Sequence, residues 1–401
     1  MEQRPKGPRD TTELSRREWL RLMGRTGAGA AALATLAACG VDSAQPITRS
    51  QPSLPPLAGE LVIAQWPGYI DKATVPAFES AMDIDVAYKT VINDNAAFYA
   101  TIRESLSQGK STGWDLVTLS DWVVSKMNRT NTLLELDHSL LPHVTANIGE
   151  AFADPVYDPG NAHSIPWQGG MTGIAFNRNK IPEGITSFDD LWDESLKGHV
   201  GMLTEMVDTM NLTLLTLGID PQEATVDDAK KAQAKLIEQR EAGIPRGYYG
   251  NNYIDGLARG DLWASMAWSG DVFWLGQDEI EFVIPSEGGL LWVTPMEIPL
   301  GAEHPRDAHA FLDYVYRPEV AADITSYVGY ITPVPGTQEI LSKRAAAAEK
   351  PADKAYLSKL ANSEYVFPTA EMHSQLHSYK VLSADEDQAW NDLFSDVTLN
   401  G

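Results

Sequence analysis

Glu60-Leu61-Val62-Ile63-Ala64-Gln65-Trp66 reads as a strand, and the segments behind it decide the fold. Residues 73–82 have helical spacing, and Ile84-Asp85-Val86-Ala87-Tyr88 is a second strand. Residues 95–108 form a second helix, and Trp114-Asp115-Leu116-Val117-Thr118-Leu119 a third strand. Strands alternating with helices in this way predict an α/β fold, a mostly parallel sheet with helices on both faces.

The pattern recurs downstream. Strands are expected at 199–203, 262–268 and 280–284, and helices at 210–217, 225–243, 305–316 and 318–327. Thr225-Val226-Asp227-Asp228 has the form of a capping box opening the second of these helices. Two α/β lobes are therefore expected. One comprises 59–166 plus about 293–335, the other 167–292 plus about 336–401, with crossings near 165–167 and 292–298.

Upstream of the fold, Ser15-Arg16-Arg17-Glu18-Trp19-Leu20 is followed by a short Gly/Ala-rich apolar run. Leu36-Ala37-Ala38-Cys39 then resembles a bacterial lipobox, so residues 1–38 read as a twin-arginine lipoprotein signal. Cys39 is the expected lipidation site, and the Pro/Ser-rich stretch 39–58 a tether. The apolar run is too short to span a bilayer, which takes about 20 residues. The expected location is the outer face of the cytoplasmic membrane, held by lipid alone.

Without 1–38 the chain carries 24 basic and 51 acidic residues, a net charge of −27. That sign excludes a general nucleic-acid surface. With one cysteine, neither an intrachain disulfide nor a thiolate zinc site is available. Gly109-Lys110-Ser111-Thr112-Gly113 imitates a phosphate loop and a nucleophile elbow, but a helix precedes it and a strand follows, the reverse of both. The eight histidines lack paired ligand spacing; His304 and His309 read as solvated, as does the acidic run Asp385-Glu386-Asp387. No metal, no cofactor and no enzyme chemistry is expected.

Function is expected where aromatics end strands, since open α/β sheets bind ligands there. Trp66 and Tyr69 follow the first strand, Trp122 the third, Trp268 another, and Trp292 lies in Glu287-Gly288-Gly289-Leu290-Leu291-Trp292. Asp121, Glu205, Asp208, Asp271 and Glu297 lie close by in sequence. Aromatic faces beside carboxylates suit a flexible aliphatic amine: each cation–π contact contributes roughly 0.5–2 kcal/mol, and carboxylates add charge-assisted bonds.

Here the chain resembles the spermidine/putrescine-binding proteins of bacterial ABC importers. Trp66-Pro67-Gly68-Tyr69, Trp114-Asp115-Leu116-Val117 leading to Ser120, and Ser164-Ile165-Pro166-Trp167 carry the likeness. So do Ser187-Phe188-Asp189-Asp190-Leu191-Trp192, Met266-Ala267-Trp268-Ser269-Gly270, the Glu287–Trp292 run, and Gly329-Tyr330-Ile331-Thr332-Pro333. The resemblance implies a type II, two-lobed periplasmic-binding-protein fold with the ligand cleft at the hinge. It also implies a monomer that hands a cationic ligand to a permease and its ATPase.

By the same resemblance, Trp66, Tyr69, Ser120 and Trp122 contact ligand from the first lobe. Glu205 and Asp208 supply paired acids, and Trp268 and Trp292 stacking walls. Two positions depart from the family's spermidine binders, which carry acids where Gly68 and Thr294 stand; Asp121, Asp271 or Glu297 could compensate. Two alternatives stay open: another organic or opine-like cation on the same fold, or a surface scaffold or hydrolase lipoprotein.

Overall fold

The computed structural model describes residues 54–93 and 95–399. The expected signal, the lipidation site Cys39 and the tether up to residue 53 lie outside them. β1 (Glu60–Gln65) pairs in parallel with β2 (Asp85–Thr90) and with β3 (Leu116–Val117). The connecting helices are Thr74–Met82 and Asn95–Ser107, so the opening β-α-β-α-β unit is as read, with a shorter third strand.

β4 (Ser164–Asn177) is buried along its whole length. β5 (Val200–Leu203), β6 (Pro245–Tyr249), β7 (Ala264–Trp268), β8 (Ile280–Val283), β9 (Gly289–Glu297) and β10 (Leu376–Ser378) complete the sheet. Its order is β2-β1-β3-β9-β4-β7-β5-β6, with β10 against β9 and β8 against β4. Both wings, β2-β1-β3 and β7-β5-β6, are joined by parallel pairs, as expected. The centre is antiparallel: β4 runs against β9 from Ser164↔Glu297 to Thr172↔Leu290, with an irregularity after Pro166, which has no N–H to donate. These two long strands are the sheet's connection between its wings.

Thr225 caps the helix Val226–Glu241 as read, accepting from Asp228 N while Asp228 accepts from Thr225 N at 3.0 Å. The helix expected at 210–217 begins four residues earlier and spans Met206–Thr216. Three surface expectations are corrected. The His304 side chain is only 20% exposed, and its Nδ1 meets buried Asp115 at 2.9 Å. His309 is 1% exposed; its Nε2 accepts from Asp137 N and its Nδ1 meets Pro305 O, because the helix Pro305–Val315 turns it into the core. Asp387 is buried and pairs with Lys126 at 2.7 Å. Among the described residues no helix is long and apolar enough to cross a membrane.

Candidate ligand-binding site

The carboxyl ends of β1 and β3 are clamped by Gln65, whose buried amide donates to Thr118 Oγ1 at 2.8 Å. Trp66 follows, its indole N–H donating to Thr118 O at 2.9 Å. Gly68 turns the chain with φ +74°, a conformation that costs glycine nothing, and brings Tyr69 back to 6.3 Å from Trp66. Tyr69 meets the edge of Tyr330 at 6.1 Å, and Tyr330 meets Trp292 at 5.2 Å and 85°.

The aromatic chain continues through a carboxylate. Tyr330 donates to one oxygen of Asp271 at 2.9 Å and Tyr253 to the other at 3.0 Å. The Tyr253 oxygen also accepts from Trp268 N at 2.9 Å. The Trp268 indole N–H then points to Asp208 at 3.3 Å. Asp208 further accepts from Thr172 at 2.6 Å and from Tyr379. Burial and the neighbouring carboxylates hold the Tyr253 and Tyr379 hydroxyls protonated, as donors. Trp66, Tyr69, Trp268, Trp292, Asp208 and Asp271 thus form one connected set, joined by Tyr253, Tyr330, Tyr379 and Thr172.

Glu205 is the half-buried N-cap of the helix Met206–Thr216, and Asp208 lies in its first turn, where the helix N-terminus favours negative charge. Ser120 precedes the helix Asp121–Arg129 and accepts from the Asn95 amide at 2.9 Å. Asp121 accepts from Trp122 N at 2.7 Å and from Val293 N at 3.2 Å, filling a gap on the edge of β9. Thr294 is buried on β9 two residues past Trp292. A cavity of about 140 Å³ lies beside Asp121 and Trp122; Tyr157, Val207, Val293 and Tyr379 also line it.

The acids around the cluster are not alike. Asp271 is engaged by two tyrosines, and Glu297 is fully buried on β9, one oxygen accepting from Leu119 N at 3.1 Å. Burial raises the Glu297 pKa well above the usual range, raises that of Asp208, and raises that of Asp121 to about 7, the nearby Asp208 charge adding to the last. Among the described residues, Asp121, Asp208 and Glu297 form no ion pair with any Lys, Arg or His. Ionised, these buried acids would be costly without a cation, so burial favours their protonated forms, and a cation brought beside them would favour the ionised ones. Among the described residues no cluster of three His, Cys, Asp or Glu is placed to hold a metal ion.

Residues 73–355 match the bacterial extracellular solute-binding protein family. The chain belongs to that family. Its members are solute-binding proteins of transporters, not enzymes. This solute-binding protein is similar to spermidine/putrescine-binding periplasmic protein 1 of Haemophilus influenzae, with 29% identity over 315 residues, 78% of this chain and 81% of that one. It is also similar to the putrescine-binding periplasmic protein PotF of Escherichia coli, 27% identical over 361 residues, 84% and 91% of the two chains. Among solved structures, the spermidine/putrescine transporter substrate-binding protein PotD of Streptococcus pneumoniae superposes with TM-score 0.70 and 25% identity, covering 84% of this chain and 98% of that one.

The raised pKa of Asp121 makes a pH dependence of stability the expected result. Between an ordinary 3.8 and about 7, folded Asp121 keeps a proton that the unfolded chain has released. Its contribution to stability therefore falls as pH rises through that window. The melting temperature of ligand-free protein should drop from pH 5 to pH 8 more steeply in wild type than in Asp121→Asn. Equal slopes would remove Asp121 from the account. A bound cation favours the ionised acid, so cation affinity should rise over the same interval.

Proposed function

We propose that this protein binds a polyamine of the putrescine or spermidine kind between the two wings of its sheet and delivers it to the permease of an ABC importer. The single observation that carries the reading is buried Asp208, which forms no ion pair with a Lys, Arg or His among the described residues, inside a connected aromatic cluster. Ammonium groups gain from both kinds of surface. The names of the similar proteins support the same ligand class.

In this reading Trp66, Tyr69, Trp122, Trp268 and Trp292 wall the ligand, Glu205 and Asp208 grip ammonium, and Asp121, Asp271, Ser120 and Thr294 complete the lining. The lobes are 59–166 with about 293–335, and 167–292 with about 336–401, and β4 and β9 flex between them. Ligand adds contacts to both lobes and so shifts the population toward the closed form. Cys39 anchors the monomer by lipid after twin-arginine export.

Titration of purified residues 40–401 with putrescine and spermidine, followed by heat or tryptophan fluorescence, should give saturable binding with a Kd at or below about 10 μM, near −7 kcal/mol. Absence of binding of either at about 1 mM would overturn the polyamine assignment.

A further inference from the structure

After β10 the chain runs through Tyr379-Lys380-Val381-Leu382-Ser383 into the helix Ala384–Leu399. One anchor of this segment is the central strand β9, and every other but two belongs to the β7-β5-β6 wing and its helices. β10 pairs with β9 at residues 289–291, and Tyr379 donates to Asp208. Lys380 reaches Ala224 O and Glu386, the latter at 3.0 Å. The helix lies on Val226–Glu241, where Gln233 donates to Leu393 O at 2.9 Å and Arg240 to Asp396 O at 2.7 Å.

The two exceptions reach the helix that follows β3, on the other wing. Asp387 pairs with Lys126 at 2.7 Å, and Leu382 O accepts from Arg129. The Asp387 side chain is 13% exposed and that of Lys126 33%, so this pair is drier than an ordinary surface pair. All four residues line the cavity that Asp121, Trp122 and Tyr379 also line.

We propose that residues 376–387 form a strap that latches the two wings together over this cavity. The strap is tied at one end to the acid Asp208 through Tyr379 and at the other to Lys126 and Arg129. Occupancy of the acid set and closure of the wings are thereby read by one segment. The proposal rests on the closure reading given above, and not on which cation is bound.

Spin labels at Ser107→Cys and Ala234→Cys, in a Cys39→Ser background, report the distance between the wings by pulsed electron spin resonance. Two distances are expected in wild type, with putrescine favouring the shorter. In Lys126→Ala/Arg129→Ala the ratio of short to long should fall about 5- to 30-fold without ligand, the effect of one or two lost charge-assisted bonds. Asp387→Lys should do the same, and pairing it with Lys126→Asp should restore the ratio. Two populations indifferent to every variant would overturn the latch alone. One distance in wild type, unmoved by putrescine, would overturn closure and the latch with it.

Discussion

Gly270→Ala should unseat Tyr330 and cost the protein both stability and ligand affinity. A Cβ on Gly270 would sit 1.7 Å from Cδ1 and Cε1 of the Tyr330 ring, far inside contact distance. Something must move, and the ring is not free to swing. Its hydroxyl donates to Asp271, its edge meets Trp292, and Tyr69 lies against it, with the ring itself 3% exposed. Moving it strands a buried acceptor, at about 1–3 kcal/mol, on top of overpacking at a similar about 1–3 kcal/mol. Alanine returns at most about 1 kcal/mol of helix propensity in Ser269–Leu275. The net is a loss of roughly 1–5 kcal/mol, visible as a fall of several degrees in Tm. Ligand affinity should drop about 10- to 100-fold, or about 1.4–2.8 kcal/mol, because Trp292 and Tyr69, the walls of the proposed site, both contact the displaced ring. Gly218→Ala is the control: it has φ +70° and nothing within 4 Å, so it carries backbone strain without displacing a ring. If Gly270→Ala melts and binds as wild type does, Tyr330 is not the keystone of these walls.

The same close approaches explain where the sequence was readable and where it was not. The opening helix Asn95–Ser107 follows ordinary periodicity because Phe98, Ile102 and Leu106 share its one buried face. β4 does not: it is buried on both faces, and its Gly169, Gly170 and Gly173 break any alternation. Gly170 is glycine because the Trp292 ring lies where a Cβ would stand, at 2.2 Å, a contact between residues 122 apart in the chain. The helix Met206–Thr216 escaped at its start for a related reason. It is buried nearly all round, with Thr209, Asn211 and Thr213 inside, so no apolar stripe marks it. Trp66 and Trp268 were legible as strand-end residues, whereas Trp292, expected at a strand end, stands inside β9, and the residues that hold all three were not legible. Tyr379 comes from 171 residues beyond Asp208, and Tyr253 and Tyr330 carry no local sign of the carboxylate they share. His309 misled because its partner, Asp137 N, is 172 residues distant and invisible to spacing.

Asp208→Asn should separate what this acid does for the ligand from what it does for the fold. Asp208 is 2% exposed and accepts from Thr172 and Tyr379 at one oxygen and from Trp268 at the other. An asparagine can keep its carbonyl toward Thr172 and Tyr379, so only the Trp268 bond is lost, and the two N–H groups then face each other at a cost of about 1–3 kcal/mol. Against this, a buried charge with no protein cation is removed, which offsets a comparable amount. The Tm at neutral pH should therefore stay within a few degrees of wild type. The ligand has no such compensation. A charge-assisted hydrogen bond to an ammonium contributes about 1.5–3 kcal/mol, so affinity for putrescine should fall roughly 10- to 200-fold. Thr172→Val supplies the comparison, since it removes a donor to the same oxygen while leaving the charge, and should lower Tm more than affinity. Calorimetry in low salt reads the affinity and thermal melting reads the fold. If Asp208→Asn binds putrescine as tightly as wild type does, Asp208 is a hub for Thr172, Trp268 and Tyr379, and the ammonium is held elsewhere along the wall.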